Sequence, residues 1–168
     1  MKNLSENYKK DINAVKGLSA TYNAICEQMF RLSALYRNLH VNYDGNPYVE
    51  NHFEEWYHEC DSEAFDLQHR VKIVDYDAII NPFFAIAGCY APLSYSNENV
   101  DHMQLKMTFN TSEAIRYMLQ LEESFLLFCL DVDDLLISTV DPAGTDRLAG
   151  IIEKSEYRIM HMRNMLSA

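Results

Sequence analysis

Apolar side chains recur in alternating steps of four and three over long segments, and this periodicity most constrains how the chain can fold. In a helix of about 3.6 residues per turn, such steps place the side chains on one face. Three such faces consist of Leu18, Tyr22, Ile25, Met29, Leu32, Tyr36 and Leu39; of Phe53, Tyr57, Cys60, Ala64, Leu67, Val71 and Val74; and of Leu148, Ile152, Ser155, Ile159, Met162 and Leu166. A fourth, very apolar stretch covers residues 117–130. The sequence therefore predicts an all-α protein.

The breaks between these segments predict the connectivity. The predicted helices run from about Asn13 to Val41, from Pro47 to about Val74, from about Val100 to Thr139, and onward from a helix cap at Thr145. The long link 75–99 carries apolar residues and prolines, so we expect a crossover that contains a short helix. Two short hairpins joined by a long crossover are typical of a ferritin-like four-helix bundle.

Two further features bound the domain. Gly17 is predicted to break or kink the start of the first helix, so residues 1–16 are expected to form a tail or a short helix, and residues 17–168 the bundle domain. No apolar run is long enough to span a membrane and no signal core opens the chain, so a cytoplasmic location is expected.

The four cysteines are scattered and three lie in apolar stripes, which predicts reduced core thiols.

The charge balance limits the class of partner. The formal net charge of the 168 residues is -11, and the basic residues form no strong cluster. This argues against direct DNA binding, because neutralising phosphates requires clustered Lys and Arg. An acidic surface attracts cations instead.

A pair of histidines flanks the first predicted hairpin. His40 closes the first helix and His52 lies in the first turns of the second, with a Gly/Asn/Pro turn between them. Both imidazoles are thus expected at the same end of the hairpin, where a metal such as iron could use them.

The hairpin resembles the Dps family of mini-ferritins through the pattern His40-x-Asn42-x-x-Gly45-x-x-Tyr48-x-x-x-His52. Three other segments agree with that family: residues 53–57 (FEEWY), residues 87–93 (AGCYAPL) and the ending from residues 144–148 (GTDRL) to 161–166 (HMRNML). The resemblance implies a homo-oligomeric shell, a dodecamer in this family, that oxidises Fe(II) with peroxide or dioxygen and stores the ferric product.

The resemblance also implies a shared iron site. Its histidines match His40 and His52, and its carboxylates would come from the second helix of a neighbouring subunit. The positions fifteen and nineteen residues after His52 hold Leu67 and Val71, both apolar. Asp66 and Glu63, which share the helical stripe of His52, are the predicted replacements. Glu59 lies on the same stripe, and there a solvated face is the preferred interpretation.

Two further groups of residues are candidates for binding a metal ion or guiding it into a shell. Larger ferritins hold a di-iron centre inside each bundle, for which this chain offers Glu27, Glu55, His58, Glu122 and Glu156. Carboxylates near the junction of the last two helices line pores in shells of the resembled family, and the matching candidates are Asp131, Asp133, Asp134, Asp141 and Asp146. Exposed aspartates at an ordinary helix end are the competing interpretation.

The sequence leaves two functional hypotheses. The first is an iron-binding mini-ferritin with ferroxidase activity that protects against oxidative damage. The second is a ferritin-like protein that keeps the fold and assembly but has lost iron oxidation, and the apolar Leu67 and Val71 favour it. The retained histidines favour the first.

Overall fold

Four long helices form the described part of the chain. The computed structural model describes residues 12–42, 46–78, 80, 111–136 and 141–167. The helices are α1 (Ile12–Asn42), α2 (Pro47–Val74), α3 (Thr111–Leu136) and α4 (Pro142–Ser167). Helix α1 packs along α2 and α3 packs along α4, while the contacts of α1 with α3 and of α2 with α4 join the two hairpins. The predicted all-α four-helix bundle is confirmed.

The first helix begins at Ile12, close to the predicted Asn13, and continues through Gly17 without the predicted break. The predicted start of the last helix is wrong. Helix α4 begins at Pro142, and Thr145 therefore lies in its first turn instead of capping it. The Thr145 hydroxyl donates to the Asp141 carbonyl oxygen at 3.1 Å, as residues one turn apart in a helix can. The predicted crossover beyond residue 80, the segment 100–110 and Cys89 lie outside the described residues.

The start of α2 matches its prediction and has a clear local cause. Pro47 occupies the first turn, where its missing N–H costs no hydrogen bond. Asn46 precedes it in an extended conformation, and its side-chain oxygen accepts from the Tyr48 backbone N–H at 2.9 Å. This cap fixes where α2 begins and hence where His52 lies on its surface.

The predicted apolar faces form the core, with small shifts between neighbouring residues. Trp56 and Ile151 are fully buried, whereas Tyr57 and Ile152 are only partly buried. Cys26, Cys60 and Cys129 are buried free thiols, and burial raises the pKa of each to about 12. None of the described helices combines the length and the apolar character that a membrane span requires.

A buried carboxylate ties the start of α4 to the first hairpin. Asp141 is fully buried, and its Oδ2 accepts from the Tyr22 hydroxyl at 2.9 Å and from Arg70 Nε at 3.1 Å. Arg70 Nη2 also donates to the other carboxylate oxygen. Since Tyr22 lies on α1 and Arg70 on α2, this one side chain connects three helices.

The backbone of α4 approaches this cluster so closely that only glycine fits at position 144. A Cβ added to Gly144 would overlap the Tyr22 hydroxyl and the Asp141 carboxylate, whereas one added to Gly150 meets nothing within 4 Å. We expect Gly144→Ala to lower the free energy of unfolding by about 1–3 kcal/mol. The matched variant Gly150→Ala should raise it by about 0.5–1 kcal/mol, because alanine favours helix.

Denaturant unfolding followed by circular dichroism measures both changes. If the two alanines shifted the unfolding midpoint equally, the packing of Tyr22 and Asp141 against α4 described above would be wrong.

Candidate metal centre

The ring of His52 lies between α2 and α4 among aromatic side chains. It stacks on Trp56, with ring centroids 5.2 Å apart, and meets the edge of Tyr48 at 4.6 Å. Across the seam, the ring of His161 on α4 lies 5.3 Å away. Both ring nitrogens of His52 are buried, and neither has a hydrogen-bond partner among the described residues. The Glu55 carboxylate approaches Nδ1 to 3.5 Å, which is an ion-pair distance without hydrogen-bond geometry. Because buried polar atoms are almost always paired, this imidazole has unused capacity for a ligand.

His40, near the end of α1, packs against a different flank of α2 from the one that carries His52. Its Nδ1 is 3.3 Å from the Glu50 carbonyl oxygen, and its ring centroid is 5.9 Å from that of Tyr57. Tyr57 points about 140° around α2 from His52, since each residue turns the helix by about 100°. With Nδ1–H donating to that carbonyl, the lone pair of His40 would be on Nε2, the arrangement common in metal-binding histidines.

The predicted carboxylates Glu63 and Asp66 form ion pairs with cations of α4. Lys154 Nζ donates to Glu63, and an Arg147 nitrogen lies 3.6 Å from an Asp66 oxygen. Both carboxylates lie further along α2 than His52, one turn apart from each other. Their role as iron ligands toward another subunit stays a prediction.

Leu67 and Val71 stand where the resemblance places carboxylates. They are 1% and 0% exposed and belong to the core of the bundle. Moving a charge to either position would bury it without a partner, so these residues serve packing.

The centre of the bundle holds a buried charged network. The Glu122 carboxylate is fully buried and accepts from Arg158 Nε at 2.6 Å and Nη2 at 3.3 Å. It also accepts from the Tyr36 hydroxyl and from the Ser155 hydroxyl, each at 2.7 Å. Arg158 Nη1 donates to Glu59 at 2.6 Å. The five side chains come from all four helices.

This network corrects the prediction of a metal centre inside the bundle. A carboxylate offers about four lone-pair positions, and the four hydrogen bonds to Glu122 fill them. Arg158 thus supplies the positive charge that a metal would supply. The other four predicted ligands are exposed on the surface: Glu27, Glu55, His58 and Glu156. Among the described residues, no group of three or more His, Cys, Asp or Glu side chains converges as a ligand set.

The sequence offers Glu122, within the apolar stretch 117–130, as a metal ligand inside the bundle, but no sequence pattern identifies Arg158 as its partner. Burial alone lowers the pKa of Arg158, and the negative groups around it, including Glu122, raise that pKa well above its usual range. Burial and the nearby Glu122 charge also hold the pKa of the Tyr36 hydroxyl well above its usual range. Its position in the sequence could have indicated that Arg158 is buried. Arg158 directly precedes Ile159 and follows Ser155 by three residues, so it lies beside the apolar stripe of α4.

The five pore candidates separate into two groups. Asp141 is buried and bound to Arg70 and Tyr22, so its assignment to a pore is wrong. The other four lie near the end of α3 or the start of α4 with partly or fully exposed side chains: Asp131, Asp133, Asp134 and Asp146. Their role in a pore stays a prediction.

Comparisons with known proteins identify the architecture. No protein-family profile matches the sequence, and no curated protein matches it. Among solved structures, 49 chains match. One is a Dps1 mutant from Mycobacterium smegmatis, with a TM-score of 0.74 and 11% sequence identity over 93% of this chain and 99% of that one. The chain therefore has the Dps-like fold, as the hairpin resemblance predicted.

The buried pair allows a sharp test of what holds the bundle together. We expect Arg158→Met to cost about 3–5 kcal/mol of unfolding free energy, because it leaves the Glu122 carboxylate buried without its cation. Arg163→Met is the matched control on the same helix. It removes an exposed pair with Glu123 and should cost about 0–1 kcal/mol. Denaturant unfolding at equal protein concentration compares them, and equal losses would contradict a central role for Arg158.

Proposed function

We propose that the protein assembles into a Dps-like hollow shell, binds Fe(II), oxidises it with peroxide or dioxygen and retains the ferric product. The observation that carries this proposal is His52, whose two buried ring nitrogens have no hydrogen-bond partner among the described residues. Imidazole is a suitable ligand for iron, and a metal ion is one group that would satisfy such a nitrogen.

His40 is the second proposed imidazole ligand, and it lies beside Tyr57 on a different flank of α2 from His52. The Glu50 carbonyl oxygen beside its Nδ1 favours the tautomer whose Nε2 can bind a metal. Asp66 and Glu63 of a neighbouring subunit would complete the ligand set with hard oxygen donors. Each would have to exchange its cation on α4 for iron, and Asp66, whose side chain is 54% exposed, is the easier of the two to release.

In this proposal the surface carboxylates guide the substrate. Asp131, Asp133, Asp134 and Asp146 would meet their counterparts from other subunits and draw Fe(II) inward by their combined field. Such shells consist of twelve subunits in the resembled family, and we propose the same number here. The buried free thiols suit a reducing compartment, and we place the protein in the cytosol.

The second candidate is a ferritin-like assembly that does not oxidise iron. Two observations favour it: Arg158 saturates the central carboxylate, and Leu67 and Val71 are buried core residues where the resemblance expects ligands. In that case the fold would serve assembly or binding alone.

Stopped-flow oxidation of Fe(II), with size exclusion on the same sample, separates the two candidates. We expect fast, saturable oxidation with iron retained in a large assembly. His52→Ala should slow the initial rate by about tenfold or more, because it removes a ligand. His69→Ala, an exposed histidine elsewhere on α2, should leave the rate unchanged.

A large assembly that oxidises iron no faster than buffer would reject the ferroxidase proposal and leave the second candidate. An active His52→Ala variant would show that oxidation occurs at another place in the shell.

A further inference from the structure

His161 is a second histidine beside His52, and the sequence assigns it no role as a ligand. It lies on α4, partly buried, with its ring centroid 5.3 Å from that of His52 and 4.4 Å from that of Tyr157. The two imidazoles therefore approach each other across the seam between α2 and α4 within a single chain.

The separation of the two rings suits a shared metal ion. A zinc-type ion binds imidazole nitrogens at about 2.0–2.1 Å in tetrahedral geometry. Two imidazoles that bind one ion in this way have ring centroids roughly 5.2 Å apart. The observed centroid separation of 5.3 Å is close to this value.

The groups around His52 suit a bound metal ion. Trp56 and Tyr48 cover its ring, so its nitrogens are shielded from water. The Glu55 carboxylate lies 3.5 Å from Nδ1 and would partly offset the charge of a bound ion. No third His, Cys, Asp or Glu completes the set within the described ranges, so the remaining coordination positions would fall to water that enters with the ion from the partly exposed side at His161.

We propose that His52 and His161 form a binding site for a borderline divalent transition metal, of the class of Zn(II) or Co(II). Nitrogen donors with few oxygen ligands favour this class over hard ions such as Mg(II). Both protein ligands come from one chain, and the site does not depend on iron oxidation.

A bound ion would link α2 to α4. These helices belong to different hairpins and contact each other much less than the partners within each hairpin do. Because the ion binds the folded bundle, it should raise the thermal unfolding temperature as its concentration increases.

Titration calorimetry with Zn(II) on the assembled, full-length protein tests the site. We expect one ion per chain, and His161→Gln should weaken binding by about tenfold or more. His69→Gln on α2 should bind as the parent does. Circular dichroism confirms that each variant is folded, and glutamine keeps a polar side chain at the seam.

A second measurement needs no variant. Of the six histidines, His52 and His161 should be the two whose imidazole NMR signals shift when Zn(II) is added to the unaltered protein. Equal Zn(II) affinity in His161→Gln, or no change in the His161 signal, would overturn the site and leave the ring contact as packing.

The two proposals fail separately. Zn(II) binding that requires His161, in a protein that does not oxidise Fe(II), would support this site and reject the ferroxidase. Fe(II) oxidation that persists in His161→Gln, with no Zn(II) binding by the parent, would do the reverse.

Discussion

The ion pair between Glu122 and Arg158 is the interaction on which the arrangement of the helices depends. Its partners Tyr36, Ser155 and Glu59 make it a contact of all four helices. Apolar stripes tolerate sliding by a turn, because one aliphatic side chain can replace another at little cost. A buried carboxylate does not, since any other register would leave it without its four donors. The apolar core thus favours a bundle, and this pair selects one alignment of its two hairpins. Asp141 repeats the principle at one end, where Arg70 and Tyr22 fix the start of α4.

Sequence reasoning succeeded where periodicity alone decides structure. The stepping of apolar residues predicted α1 and α2 almost to their ends, and Pro47 marked the first residue of α2. Periodicity reports which face of a helix is buried, but not how neighbouring helices are rotated against each other. For that reason the sequence indicates Glu122 as a charge in an apolar stretch but does not indicate Arg158 as its partner. The two residues are 36 positions apart, and no local pattern connects them. The same limit explains Asp141, which looked like a residue of an exposed turn. Its partner Arg70 is 71 residues away.

The same limit applies to the candidate site, where some features follow from the hairpin sequence and others depend on contacts between subunits. His40 and His52 follow from the hairpin pattern. The structure adds a backbone carbonyl oxygen beside His40 and two buried His52 nitrogens that have no hydrogen-bond partner among the described residues. The proposed carboxylates would come from another subunit and would depend on an assembly that a single chain does not specify. Arg70 is informative here. It stands near the position of an acidic ligand in the resembled family, and in this chain it holds Asp141. A positive charge at this position would repel iron, and here Arg70 instead takes part in the cluster that connects α1, α2 and α4.

The three buried cysteines have a consequence for any chemistry that uses peroxide. Peroxide attacks the thiolate form of cysteine, so the rate of damage follows the fraction of thiol that is ionised. With a pKa of about 12, Cys26, Cys60 and Cys129 are ionised at neutral pH in only about one molecule in 100,000. Their position in the core also keeps the oxidant away from the sulfur atoms. Burial and a raised thiol pKa therefore both slow the reaction of these three cysteines with peroxide.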